Sequence, residues 1–179
     1  MTSSVNNECL RLTKNWLDNV IIGQNFCPFA KKPRIDKSIR FHVSITNSTE
    51  TLLMELEQEF NHLDNNPETE TTLIIYKNSL RDFDDFLDSL YLANQYLDSL
   101  NYSGIYQIAS FHPAYKFEGE PDSSISHYTN RSPFPILHII REDSISSALK
   151  SVANPELIPE RNISHAHSLG KDFFVQFLK

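Results

Sequence analysis

Two short runs, TTLIIY at 71–76 and ILHII at 136–140, are apolar at almost every consecutive position. A strand with one wet face alternates polar and apolar residues, so a run without alternation has to be covered on both sides. Runs of this kind belong in the middle of a sheet, with helices packed on each face. A further strand fits beside them. Ile39, Phe41, Val43 and Ile45 alternate with Arg40, His42, Ser44 and Thr46, which reads as a half-buried strand with His42 on its polar face. Another is predicted over 105–110, just after Gly104.

Helical spacing fills the intervals. Val5, Cys9, Leu12, Trp16 and Val20 share one face of an opening helix, with Ser3 or Ser4 to cap it and Gly23 to end it. Residues 25–33 then read as a loop, because Pro28 and Pro33 lack the backbone donor that regular structure uses. Leu52, Leu53, Leu56, Phe60 and Leu63 form a second apolar stripe, preceded by Asn47, Ser48 and Thr49 as caps and broken by Asn65-Asn66-Pro67. Leu80, Phe83, Leu87, Leu90 and Leu97 form a third, capped by Asn78 or Ser79. The acids Asp82, Asp84, Asp85 and Asp88 crowd its first turns, where they suit the helix dipole better than a metal. Asp143 is placed to cap a helix carrying Ile145, Ala148, Leu149 and Val152. Pro155 and Pro159 interrupt the chain before a last helix over 163–178.

The order αβαβαβ–loop–βα(α) predicts an α/β or α+β fold over 1–179 as one domain. Its centre is a single mixed sheet of about four strands with helices packed on it. A ferredoxin-like arrangement of the strands after residue 70 is one subtype that this order admits.

The formal net charge of −7 argues against nucleic acid as a partner, since that surface must be positive. One basic run, Lys31-Lys32-Pro33-Arg34 with Lys37 and Arg40 behind it, is either a solvated edge or a steering patch for an anion. Two cysteines make no disulfide framework, and a reducing cytoplasm is the simplest compartment. The first residues have no basic region followed by an apolar core, and no apolar run reaches the length of a membrane span, so no membrane partner is expected.

The connection between the last two strands is long for a compact domain and holds His112, His127, Asn130, Arg131 and a Ser-Pro-Phe-Pro turn. His112 is the expected acid or base, since histidine titrates near neutral pH. An antiparallel last strand would bring Asn130 and Arg131 to His112, and a parallel one would bring Arg141 and Glu142 instead. Arg131 and Arg141 could hold an anionic small molecule. Cys27 is the candidate thiol nucleophile if a cation lowers its pKa. His138, inside an apolar run, reads first as a neutral core residue and second as a ligand contact. Glu160 and Arg161 either cap the last helix or bring a carboxylate and a cation to the site. No resident cofactor is read, and no local metal-ligand spacing is present. A zinc ion on Cys27, His112 and His138 is the one metal arrangement worth testing. His165 and His167 diverge on a helix.

CPFA at 27–30, ETTLII at 70–75, QIASFHP at 107–113, TNRSPFPILHIIRE at 129–142 and IPERNI at 158–163 together resemble domain-of-unknown-function family 1415. The resemblance covers nearly the whole chain, in order. It implies a small bacterial protein of one domain and brings no catalytic residues with it. Two functions are therefore carried forward. One is a cytosolic enzyme or binding protein for an anionic small molecule, built on a His/Arg/Cys pocket. The other is a non-catalytic module that presents Phe111, Tyr115, Phe117, Tyr128 and Phe134 to a protein partner, or to a second copy of itself.

Overall fold

The computed structural model describes residues 2–150 and 152–179, with side chains from residue 6 onward. The expected caps Ser3 and Ser4 lie inside the first helix, which already runs from Thr2, and the expected core contact Val5 lies outside the described side chains. Four strands make one open sheet: β1 (Ile39–Ser44), β2 (Thr71–Tyr76), β3 (Tyr106–Phe111) and β4 (Ile136–Arg141). The spatial order is β1-β2-β4-β3. β1 pairs with β2 in parallel, while β4 runs antiparallel to both β2 and β3. The two all-apolar runs are the two central strands, and every residue of β2 is buried.

The carboxyl ends of β1, β2 and β3 therefore share one edge of the sheet with the start of β4. After residue 70, β2 and β3 flank β4 as in a split β–α–β unit. The ferredoxin-like expectation stops there. The fourth strand comes from before residue 70 and lies parallel to β2.

Register sorts side chains between two cores. Leu73, Ile75 and Ile136 point to one face with Ile39, Phe41, Val43 and Phe111. That face is covered by α1 (Thr2–Trp16), its continuation Leu17–Ile22, α6 (Ile158–Leu169) and α7 (Lys171–Val175). Ile74, Tyr76, Leu137 and Ile139 point to the other face, under α3 (Thr49–Asn65) and α4 (Phe83–Ser99). Within α1 and its continuation, Cys9, Trp16 and Val20 are buried as the spacing required, whereas Leu12 is only half-buried and Leu17, outside that stripe, is buried as well.

Several local expectations are corrected. The end of the first helix widens into a π-helical turn over Leu17–Ile22, and Gly23 is needed for space rather than for a left-handed turn. A Cβ on Gly23 would lie 2.6 Å from the Asn19 carbonyl oxygen. The 25–33 loop ends early, because α2 (Lys31–Ile35) contains Pro33. Proline is harmless in a first turn, whose N–H groups have no intrahelical acceptor. Asp82, not Asn78 or Ser79, caps α4 by accepting from the Asp84 and Asp85 amides. Leu80 consequently sits outside that helix with a positive φ of 56°, and Leu87 is exposed. α5 (Glu142–Leu149) starts without a side-chain cap, so Asp143 lies inside it. The final helix is split in two at Gly170, whose φ is +74°. Pro159 lies in the first turn of α6 rather than before it. The cap Ser48 and the break after Asn65 are as expected.

Candidate functional site

The expected site residues fall at opposite ends of the sheet. At the carboxyl edge, the antiparallel β4 brings the 111–135 connection back on itself, and the His112 amide donates to the Asn130 carbonyl at 3.2 Å. His112 is fully buried between the rings of Phe83 and Phe86. Its Nε2 bonds the Leu80 carbonyl oxygen at 3.0 Å, and its Nδ1 accepts from the Ala114 amide at 3.0 Å. That pair fixes one neutral tautomer, burial pushes the pKa down, and neither nitrogen is left for a substrate proton. Asn130 donates to the Ser110 carbonyl oxygen at 3.3 Å. Arg131 lies over the Tyr128 ring, with Nε on the Tyr115 carbonyl oxygen and its own carbonyl accepting from Trp16 Nε1 at 2.8 Å. Its terminal nitrogens keep no hydrogen bond among the described residues. His127, also buried, bonds the Phe117 amide and the Pro121 carbonyl. The long connection is thus packed and internally bonded. Its aromatics point inward: Phe111 against Trp16, Tyr115 against Phe83, Phe117 against His127 and Tyr128 against Phe174.

Arg141 is taken up by the fold. It donates to the Leu63 carbonyl at 2.6 Å, to the Thr69 carbonyl and to the Tyr106 hydroxyl, and so locks the end of α3 to the sheet. Arg161 donates to the Asn25 carbonyl at 3.0 Å, and the neighbouring Asn162 donates to Phe26 at 2.7 Å. Together they pin the loop that carries Cys27. Glu160 is exposed.

At the other end of the sheet, a cavity of about 610 Å³ opens under α2 and α5. The π-helical turn supplies Leu17, the loop supplies Cys27, Pro28 and Phe29, and α2 with the residue that ends it supplies Lys32, Pro33 and Asp36. The starts of β1 and β2, with β4, supply Ile39, Thr71, Leu73, His138 and Ile140, and α5 supplies Asp143, Ser144 and Ser147. Two expected residues, Cys27 and His138, therefore share a wall, while His112 and Arg131 lie elsewhere. Burial pushes the Cys27 thiol up, although the Phe29 and Ala30 amides pull the other way, so the thiol keeps its proton at neutral pH. Burial lowers His138 to about 4, which keeps its ring neutral. Thr71 Oγ1 lies 2.6 Å from His138 Nε2 and 2.5 Å from the Ile139 carbonyl oxygen.

Three cations of the basic run are paired, while Lys31 and Lys37 are exposed. Arg34 forms a two-point pair with Asp18 of the π-helical turn at 2.7 and 2.8 Å, Lys32 pairs with Asp36, and Arg40 pairs with Glu59 at 2.7 and 3.0 Å. The Arg34 pair holds α2 over the cavity. Among the described residues no group of three or more His, Cys, Asp or Glu is placed to hold a metal ion. Cys27, His112 and His138 do not converge, because His112 lies at the other end of the sheet.

One polar layer was not assembled from the sequence. Arg40, His42 and Ser44 of β1 face Glu55 and Glu59 of α3, with His42 Nε2 2.7 Å from Glu55 and Ser44 Oγ donating to the same carboxylate at 2.6 Å. Glu59 is only 3 % exposed. Glu55 raises the pKa of His42. The signal was present: the polar face of β1 and two glutamates one turn apart in the following helix. Nothing in either segment alone pairs them.

No helix among the described residues is long and apolar enough to cross a membrane. Comparison with curated proteins and with solved structures returns no match. The family model described as "Protein of unknown function (DUF1415)" matches residues 8–176. That span takes in the cavity wall, the long connection and every strand, and the chain belongs to the DUF1415 family.

Proposed function

We propose that this protein binds a small, largely apolar molecule in the cavity beneath α2 and α5. The observation that carries the reading is the cavity itself. Its size suits a small ligand, and apolar walls close on a few polar groups, as binding sites do. Binding is favoured over catalysis because the two reactive residues on the wall are quiet: Cys27 is held as a thiol and His138 as a neutral ring. An anion would meet Lys32 alone, already paired, beside Asp36, Glu70 and Asp143. The protein-interaction reading has less behind it, since Phe111, Tyr115, Phe117, Tyr128 and Phe134 are buried or half-buried.

A thermal-shift screen of small aliphatic and aromatic fragments tests the reading in the intact chain. A fragment that occupies the cavity raises Tm, because it binds only the folded state. The rise is expected to vanish in Ser144→Trp, which fills the space from α5. Should no fragment act on the wild type and fail on that variant, the cavity is not a binding site.

A further inference from the structure

We infer that the cavity selects molecules whose polar end donates a hydrogen bond, an alcohol or an amine on an apolar body, and that His138 Nδ1 receives it. The inference rests on the cavity being a binding site. The Thr71 hydroxyl has a single proton and two close neighbours. The Ile139 carbonyl oxygen, at 2.5 Å, can only accept, so Thr71 donates to it. His138 Nε2, at 2.6 Å, must then donate to Thr71. The ring proton is therefore on Nε2, and Nδ1 is left as a bare acceptor.

No protein donor reaches Nδ1 among the described residues, and Nδ1 is not one of the buried atoms lacking a partner. The half-buried ring lies on the cavity wall, so the lone pair faces whatever fills that space. An occupant without a donor would leave this acceptor dry and unpaired, which costs binding free energy. An occupant with a donor satisfies it.

Charge around the cavity points the same way. Lys32 is tied to Asp36 and also feels the charge of Glu70, whereas Asp143 has no ion pair among the described residues. One ammonium against three carboxylates repels an acidic head group and tolerates or attracts a basic one. The ring adds no positive charge, because burial keeps it neutral at physiological pH.

Four probes of similar size separate these effects: hexan-1-ol, its ether isomer 1-methoxypentane, hexylamine and hexanoate. Each is titrated into the full chain and followed by amide spectra and by long-range proton–nitrogen spectra of the histidine rings. The alcohol and the amine are expected to bind roughly tenfold more tightly than the ether and hexanoate, about what one hydrogen bond contributes. They should also move the His138 Nδ1 resonance. In His138→Leu the alcohol should weaken to the level of the ether, while the ether is unchanged. If that variant does not fold, the wild-type Nδ1 resonance decides the matter. An ether that binds as well as the alcohol, both being lost in Ser144→Trp, overturns donor selection and leaves the cavity a binding site. Tightest binding by hexanoate overturns it as well. Absence of binding by all four, with Ser144→Trp behaving as wild type, defeats both readings.

Discussion

His138, His112 and His42 are the same side chain held in opposite states by what surrounds them. Burial lowers the first two, whereas the Glu55 carboxylate raises the third. The consequence for stability has a definite sign. The native value of His138 is about 4, below the roughly 6.5 of an unfolded chain. Between those values the unfolded chain binds more protons, so stability is fully present above pH ~6.5 and is lost as pH falls toward 4. A shift of this size corresponds to a few kcal/mol, at about 1.4 kcal/mol per pKa unit. Urea unfolding across this range is expected to show the wild type falling more steeply than His138→Leu. Parallel curves would mean that the ring is not held neutral by the fold. His42 runs the other way: its contribution is present at low pH and fades as pH rises through its raised native value.

At the scale of elements, the short helix α2 illustrates how a weak piece is held in place. Five residues do not make a stable helix in water, so α2 depends on its attachments. One of them is the Arg34–Asp18 pair, whose partners are 33 % and 41 % exposed. An ion pair that wet contributes about 1 kcal/mol or less. Arg34→Ala is therefore expected to cost little global stability, yet to release the roof of the cavity. Hydrogen exchange should show faster amide exchange at 27–36 with the sheet unaffected. Unchanged protection there would assign the anchoring of α2 to its apolar contacts instead. Asp18 stands in the π-helical turn, and such turns often occur where a helix has been adapted to a site. Here the wide turn places Leu17 on the cavity wall and Asp18 under α2 in consecutive positions.

The whole molecule is two cores sharing one sheet. β2 gives Leu73 and Ile75 to one core and Ile74 and Tyr76 to the other, and β4 divides Ile136 from Leu137 and Ile139 in the same way. Neither core can be lost without stripping one side of both central strands, so the two should melt together. Phe60→Ala in one and Phe174→Ala in the other remove fully buried rings, and each is expected to cost about 3–5 kcal/mol. Trp16 fluorescence reports on the second core, and far-ultraviolet circular dichroism on the whole. In Phe60→Ala both signals should shift to the same new midpoint. A Trp16 transition that stays in place while circular dichroism moves would show the cores to be independent.

Periodicity carried most of the fold. The covered runs at 71–76 and 136–140 had to become central strands, and the stripes of 52–63 and of the opening helix had to face them, because burial follows spacing along one segment. Where a competing local signal existed, the reading went astray. Asp82 reads as dipole charge in the sequence and is a cap in the fold, and Pro33 reads as a breaker and is a first-turn residue. The site was legible only in part. Cys27 and His138 can be grouped from the sequence only in a zinc set that wrongly includes His112, and His112 reads as available although the turn around Leu80 supplies an acceptor for its Nε2. Whether two reactive side chains meet, and whether a polar atom is already satisfied, depends on strand order and on contacts between segments far apart in the chain. Residue spacing fixes which face a side chain takes on its own element. Only the packing of elements decides what stands opposite it.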